Sequence, residues 1–538
     1  MLSLASLPEA GVDPLAPIEQ FARWLLADTL DCALGLILGA CATRLMRRMH
    51  LHWSWAAALL ALLALLPLEL DRSSATLALA LISAAATGRR WHSEDVDAGG
   101  DLAELAARRR APTDTLRSWT HGASDRLAGT LGVQRWFKRG ALLVGREQCS
   151  RAVSIPFDSS GGGRHTLVVG ATGSGKTVTE TWMAVRAIER GMGAVVVDPK
   201  GDRTMRDELR HAVEASGRAF LEWTPDGDCV YNPYARGSET EIADKLLAGE
   251  RFTEPHYLRQ SQRYLGHVVR ALRSRGVEVS LQRIVDHLEP AQLEILVRGL
   301  PEAEGTHAYL DSLTSRQQSD LAGVRDRLAI LAESDVGAWL DPRTVTTRRF
   351  DLLAAVRARA VVYFSLESDS RPLLTQMLGA AIVQDLQTTV ASLQGRPVAT
   401  LVVIDEFSAV AAEQVVRLFG RARSAGFSLL LGTQELSDLR PPGRERLLEQ
   451  VMGNLSVLIA HRQVVPHSAE LIANLAGRRG GWKVSRRSDG GTTRTRVREA
   501  VLDPSQVVRL AQGWAAVIVL DRAGRTRIAR MYSQRKPG

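Results

Sequence analysis

Residues 170–177 read Gly170-Ala171-Thr172-Gly173-Ser174-Gly175-Lys176-Thr177, the spacing GxxxxGKT. The chemistry it suits is polyphosphate binding. Glycines let the backbone wrap closely around phosphate oxygens, so that amide N–H groups and a helix N-terminus face the negative charge. Lys176 then reaches the β- and γ-phosphates as a catalytic cation, and the Thr177 hydroxyl is a magnesium ligand. Gly161-Gly162-Gly163 just upstream shows that glycine-rich runs occur in this chain without such a role. What sets 170–177 apart is its setting, an apolar strand from His165 to Val169 before it and a helix-compatible stretch to Arg190 after it. ATP and Mg²⁺ are the expected cofactors.

A second apolar run, Ala399 to Ile404, ends in Asp405-Glu406-Phe407. A parallel strand emptying at the same sheet edge would set Asp405 beside the metal and Glu406 beside the attacking water. An acid ending a strand can also merely cap the next helix, and the phosphate loop decides for the catalytic reading. Gln434 follows a third strand-like run, Ser428 to Leu431, where it would sense the γ-phosphate or orient water; the competing reading is an ordinary loop amide.

The elements that must position these groups are apolar strands separated by helical segments. Besides the three named, Gly193 to Val197, leading to Asp198-Pro-Lys-Gly-Asp202, and Ala360 to Leu366 fit one sheet. Five such strands predict a doubly wound α/β domain. Between residues 238 and 348 apolar residues recur at helical spacing with no convincing strand, which predicts an inserted all-α subdomain. The stretch 476–498, rich in Gly, Arg, Ser and Thr, reads as an exposed loop. With 538 residues, 45% hydrophobic and 24% charged, the chain can bury a sizeable core, and disordered or fibrous classes are excluded. Four cysteines without a CxxC pair argue against a disulfide scaffold or structural zinc. The net charge of +9 lies outside the first 88 residues and suits a polyanionic partner.

Trp53 to Leu70 is nearly long enough and apolar enough to span a bilayer. Weaker runs flank it at Cys32 to Met46 and Ser74 to Gly88. Arg44, Arg47, Arg48, Arg89 and Arg90 would stay inside, with Asp71-Arg72 as an outer turn and Glu9, Asp13 and Glu19 outside. The expectation is two or three N-terminal transmembrane helices, a multi-pass protein of the bacterial inner membrane, and a cytoplasmic remainder. The expected domains are a membrane anchor at 1–90, an ATPase domain in two parts at 91–237 and 349–538, and the all-α subdomain at 238–348 between them.

Together, HTLVVGATGSGKT, VVVDPKGD, VVIDEF and GRARSAGFSLLLGTQ resemble the FtsK/HerA superfamily of motor ATPases. Within it the chain is most similar to the type IV secretion coupling proteins of the VirD4/TraG/TraD kind. The apolar N-terminal hairpin, the CVYNPYARG stretch from Cys229 to Gly237 and the helical insertion favour that branch over the FtsK translocases. The resemblance implies a RecA-like P-loop NTPase that hydrolyses ATP to move DNA. Its implied partners are DNA, a relaxase or relaxosome, type IV secretion channel proteins and the membrane. It also implies a homo-hexamer with ATP between neighbours and an arginine supplied in trans; Arg421, Arg423 and Arg462 are the candidates. The chain ends at Gly538 without the long acidic tail of some TraD proteins, and no FtsK-type winged helix follows Gln434. An FtsK-like duplex translocase, a coupling ATPase for protein effectors and a nucleotide-binding scaffold without turnover are the competing readings; a scaffold would be free to lose Glu406.

Overall fold

The computed structural model describes residues 16–48, 52–64, 73–97, 136–137, 140–147, 152–160, 162–225, 227–249, 254–344, 348–368, 370–410, 412–440, 446–486, 492–520 and 525–533. In chain order the strands are β1 (Ala141–Arg146), β2 (Ala152–Pro156), β3 (Thr166–Val169), β4 (Gly193–Asp198), β5 (Phe220–Trp223), β6 (Cys229–Tyr231), β7 (Arg348–Phe350), β8 (Val361–Ser365), β9 (Thr400–Ile404), β10 (Phe427–Thr433), β11 (Val457–Ala460), β12 (Arg478–Arg486), β13 (Thr492–Ala500), β14 (Trp514–Val519) and β15 (Arg525–Met531).

The central sheet runs β2-β1-β15-β14-β11-β3-β10-β9-β4-β8-β5. From β11 to β5 every pairing is parallel, whereas β14, β15, β1 and β2 add an antiparallel flank. The five strands read from the sequence are β3, β4, β8, β9 and β10, and all lie in the parallel part. Their residues are buried throughout, as a sheet covered on both faces requires. The two-residue period sorts them: Leu167, Val195, Val197, Phe364 and Ile404 belong to one core, and Val168, Val196, Tyr363 and Val403 to the other.

Residues 238–348 are helical where apolar spacing indicated it, in Glu239–Leu247, Pro255–Ser274, Leu281–Asp286, Pro290–Val297, Ala303–Asp311 and Ser315–Ala332. These helices share the first core with the sheet, through Tyr264, Leu265, Val268 and Leu328. Their base is tied by β6 pairing parallel with β7. It is tied again by a buried cluster, where Lys245 Nζ donates to Asp385 Oδ1 at 2.6 Å and Tyr231 Oη donates to Asp385 Oδ2 at 2.7 Å.

Two sequence readings are corrected. The stretch 476–498 holds β12 and most of β13, paired in a sheet of their own; Thr and Val interleaved with Arg hold an extended backbone despite the polar composition. At the N-terminus, Ala16–Arg48, Ser54–Ala64 and Ser73–Asp97 are helices. Among the described residues no helix is long and apolar enough to cross a membrane, which overturns the multi-pass inner-membrane assignment. Over the described residues Ser54–Ala64 has 11 residues, about 16 Å of helix against a hydrocarbon core of about 30 Å. Ala16–Arg48 is interrupted by Glu19, Arg23, Asp28, Asp31 and Arg44, and Ser73–Asp97 ends in a charged segment. The expected outer turn at Asp71-Arg72, residues 65–70 and the acidic start with Glu9 and Asp13 lie outside the described residues. Helices Ala16–Arg48 and Ser73–Asp97 approach closely at Gly39, where a Cβ would stand 2.8 Å from Ser83 Cβ. Contacts divide the chain into two units, residues 1–129 with 148–150 and 479–499, and residues 130–147, 151–478 and 500–538.

Candidate functional site

Strand β3 ends at Val169, and the next residues turn sharply because glycines permit it. Gly170 N–H donates to Thr433 C=O at 3.2 Å and Ala171 N–H to Arg462 C=O at 3.0 Å, pinning the loop between β10 and β11. A Cβ at Gly170 would stand 2.7 Å from His461 Cβ, so no larger residue fits there. Gly173 and Gly175 have φ of +74° and +108°, a region open to glycine at little cost. Gly175 caps the helix Lys176–Glu189, whose first turn therefore follows the loop directly. Thr172 and Gly173 are exposed, Ser174 and Lys176 buried, and Thr177 half-buried. The Ser174 hydroxyl is buried without a hydrogen-bond partner.

His461 supports the loop from beneath. Its Nδ1 lies 3.1 Å from Trp514 C=O, an acceptor only, so this nitrogen carries the proton; Nε2 lies 3.0 Å from Thr179 Oγ1. Burial lowers its pKa to about 4, helped by the nearby Lys176 charge, and the ring is neutral at pH 7.

Lys176 Nζ is ion-paired with Asp405 Oδ1 and lies 3.8 Å from Glu180 Oε1. Burial opposes its charge, but Glu180, Asp405 and Glu406 outweigh that and hold the ammonium above its usual range. Glu180, one helical turn beyond Lys176, is completely buried, and neither carboxyl oxygen has a hydrogen-bond partner. Burial first, then Asp405, raises its pKa to about 8. Gly432 on β10 makes room for this cluster: a Cβ there would stand 2.7 Å from Asp405 Oδ1.

Asp405 and Glu406 leave β9, two places from β3 with β10 between them. Glu406 has φ +47°, left-handed for a non-glycine residue, and its N–H donates to Asp405 Oδ1 at 2.8 Å. Such a conformation costs of the order of 1–2 kcal/mol and persists where the surroundings over-determine it. Here Gln434 Nε2 donates to Glu406 Oε2 at 3.1 Å and Lys200 Nζ pairs with the same oxygen at 3.2 Å. Lys200 is placed by a turn after β4, in which Asp198 Oδ1 accepts from the N–H groups of Lys200 at 2.9 Å and Gly201 at 3.0 Å. Burial raises the Asp198 pKa, against the hydrogen bonds from Tyr363 and the turn amides.

Lys176, Asp405, Glu406 and Gln434 therefore meet at one sheet edge, with loop 170–177 beside them. Sequence reading missed Lys200, Glu180 and His461. The run VVVDPKGD was itself visible, but nothing local to it signals a lysine paired with a carboxylate some two hundred positions later. The three arginines separate. Arg462 follows β11 on the phosphate-loop edge, whereas Arg421 and Arg423 precede β10 and so lie at the opposite edge; all three are exposed. Arg423 packs beneath Gly163 and helps burial lower the His165 pKa to about 4.

The site suits a magnesium nucleotide. Positive-φ glycines form the cradle, an unpartnered buried hydroxyl lines it, and the Thr177 hydroxyl and Asp405 carboxylate are hard oxygen donors.

Comparisons with known proteins identify a family and a fold. The family model for the type IV secretion-system coupling protein DNA-binding domain matches residues 150–510. The conjugative coupling protein TrwBdeltaN70 superposes with a TM-score of 0.57 at 17% identity, over 76% of this chain and 92% of that one. Plasmid coupling protein TrwB in complex with ADP and Mg²⁺ gives 0.55 at 17%, over 76% and 93%. At such identity the likeness is one of fold. An uncharacterized protein of Mycoplasma pneumoniae is 33% identical over 101 residues, 19% of this chain and 67% of that protein.

Proposed function

The chain belongs to the type IV secretion-system coupling protein family, matched over two thirds of its length, and from that premise we propose that it is an ATP-driven motor that recruits relaxase-bound single-stranded DNA to a type IV secretion channel. It is a P-loop ATPase, and ATP with Mg²⁺ is its cofactor pair. In this reading 91–237 and 349–538 are two parts of one motor domain and 238–348 is its partner-facing insertion.

The observation that carries the reading is the Glu406 carboxylate, held in a strained backbone conformation by Gln434 and Lys200 beside the Lys176–Asp405 pair. Loop amides and Lys176 would bind the polyphosphate, while Thr177 and Asp405 would hold Mg²⁺. When bound, the magnesium nucleotide would supply the γ-phosphoryl group for transfer to water, with ADP as the leaving group, and the charge neutralisation that this transfer needs. Glu406 takes the proton of the attacking water, with Gln434 orienting that water and Lys200 holding the carboxylate in place. In a homo-hexameric ring, Arg421 or Arg423 reaches a neighbour's nucleotide, since both lie at the edge away from their own loop; Arg462 is bonded through its backbone to the loop of its own chain.

ATP hydrolysis by the full chain, measured without DNA, with single-stranded DNA and with duplex, tests this. Stimulation by single-stranded DNA is expected, with a loss of at least about 100-fold in Glu406→Gln while nucleotide binding persists. Equal turnover in Glu406→Gln would remove the catalytic assignment. Turnover indifferent to both DNAs would move the substrate to protein effectors.

A further inference from the structure

After the helix Pro466–Ala476 the chain turns at Gly477, φ +82°, and continues into β12 and then β13. Val501 N–H donates to Gly477 C=O at 3.0 Å and closes the base of this ribbon. The strands read RRGGWKVSR and TTRTRVREA, with six arginines and one lysine against a single acid, Glu499. These 18 residues carry +6, beside +9 for the whole chain. The two-residue period places positions 494, 496 and 498 on one side of β13. Arg496 and Arg498 are exposed, and no ion pair among the described residues engages either. Gly480 faces Arg496 across the ribbon and offers it no side chain: a Cβ there would stand 3.8 Å from Arg496 Nε.

A two-stranded pair is marginal alone, and concentrated like charge opposes it further. A polyanion relieves both. Two strands about 4.8 Å apart with their side chains fit a major groove about 12 Å wide. A single-strand site would instead present several aromatic side chains for stacking, and this ribbon has one, Trp482.

We propose that the β12–β13 ribbon is a sequence-independent docking surface for the phosphates of duplex DNA. The proposal rests on the DNA-coupling reading above. It adds a duplex contact to a motor whose cargo is a single strand.

The test is the salt dependence of duplex and single-strand binding by the full chain, comparing the native protein with Arg494→Gln/Arg496→Gln/Arg498→Gln and with the triple Arg→Lys variant. Each lost duplex phosphate contact lowers the slope of log K against log salt by about 0.9. The Gln triple should therefore lose about 2.7 from the slope, so that between about 50 and 200 mM salt its affinity falls about 40-fold less than that of the native chain. The Lys triple should keep the native slope, and DNA-free ATP turnover should be unchanged in both. Arg496→Gln alone, with a loss of about 0.9, serves if the Gln triple does not fold. An unchanged slope in a native chain that binds duplex overturns the ribbon alone. Loss confined to single-strand binding overturns the choice of duplex. A native chain that binds neither DNA overturns the coupling reading itself.

Discussion

Lys245→Met removes an ammonium from the place where the helical insertion meets the sheet. The Lys245 side chain is 0% exposed. Its Nζ donates to Pro233 C=O at 2.8 Å, Arg236 C=O at 2.7 Å and Asp385 Oδ1 at 2.6 Å. Methionine fills much of the volume but leaves two carbonyls without that donor, and Asp385 keeps only the Tyr231 hydroxyl. Removing one partner of a buried ion pair costs about 3–5 kcal/mol, a large share of a typical total stability of about 5–15 kcal/mol. The loss should depend on pH. Burial already raises the Asp385 pKa, with Lys245 and Tyr231 opposing it, and without Lys245 it rises further. A carboxyl whose folded pKa exceeds its unfolded value stabilises below the unfolded pKa, and that contribution disappears as pH rises through the folded value. The deficit of Lys245→Met should therefore be smaller near pH 5 than near pH 8. Lys245→Met/Asp385→Leu should recover most of it, because an apolar pair of similar volume replaces a buried ion pair at little cost. Urea unfolding followed by tryptophan fluorescence at both pH values reads these differences. A single-variant loss below about 1 kcal/mol, the same loss at both pH values, or a double variant no better than the single would refute the argument that a desolvated charge pair fastens the insertion.

Gly170→Ala should weaken nucleotide binding by at least about 10-fold, because its Cβ meets His461 Cβ at 2.7 Å and the loop must shift. Gly173→Ala meets nothing within 4 Å and carries only the φ +74° penalty, roughly 1–2 kcal/mol, so its loss should be the smaller in titrations with a fluorescent nucleotide; the opposite order would show that contact does not shape the loop. Glu180→Gln should become more stable than the native chain as pH rises. The native carboxyl, with its pKa raised to about 8, stabilises fully below its unfolded pKa and loses that contribution as pH passes through about 8, whereas the amide does not titrate. Parallel falls in unfolding midpoint for both proteins between about pH 5 and pH 9 would contradict the buried-acid assignment.

Contiguous chemistry was legible because its geometry is local. Residues 170–177 need only a strand before and a helix after, and both follow from hydrophobic runs. Asp405-Glu406 and Gln434 were legible for the same reason, as polar residues ending apolar strands. The reading of the N-terminal runs failed on helix length: apolar composition does not fix how long a helix is, and the helix described in the central run, Ser54–Ala64, has 11 residues. Segment 476–498 failed because its composition resembles a loop, whereas strand pairing satisfies its backbone.

The residue types, the α/β fold class and the members of the candidate site were legible in the sequence alone, since each motif is closed by short-range backbone constraints. Which groups share a charge was decided only by tertiary structure. Lys200 meets Glu406 because β4 and β9 are neighbours, and Gln434 meets it because β10 lies on the other side of β9. Arg462 and Arg421 part company because one follows a strand and the other precedes one. Strand order is set by how whole faces of the sheet bury against helices, a sum over many weak contacts that no short segment encodes.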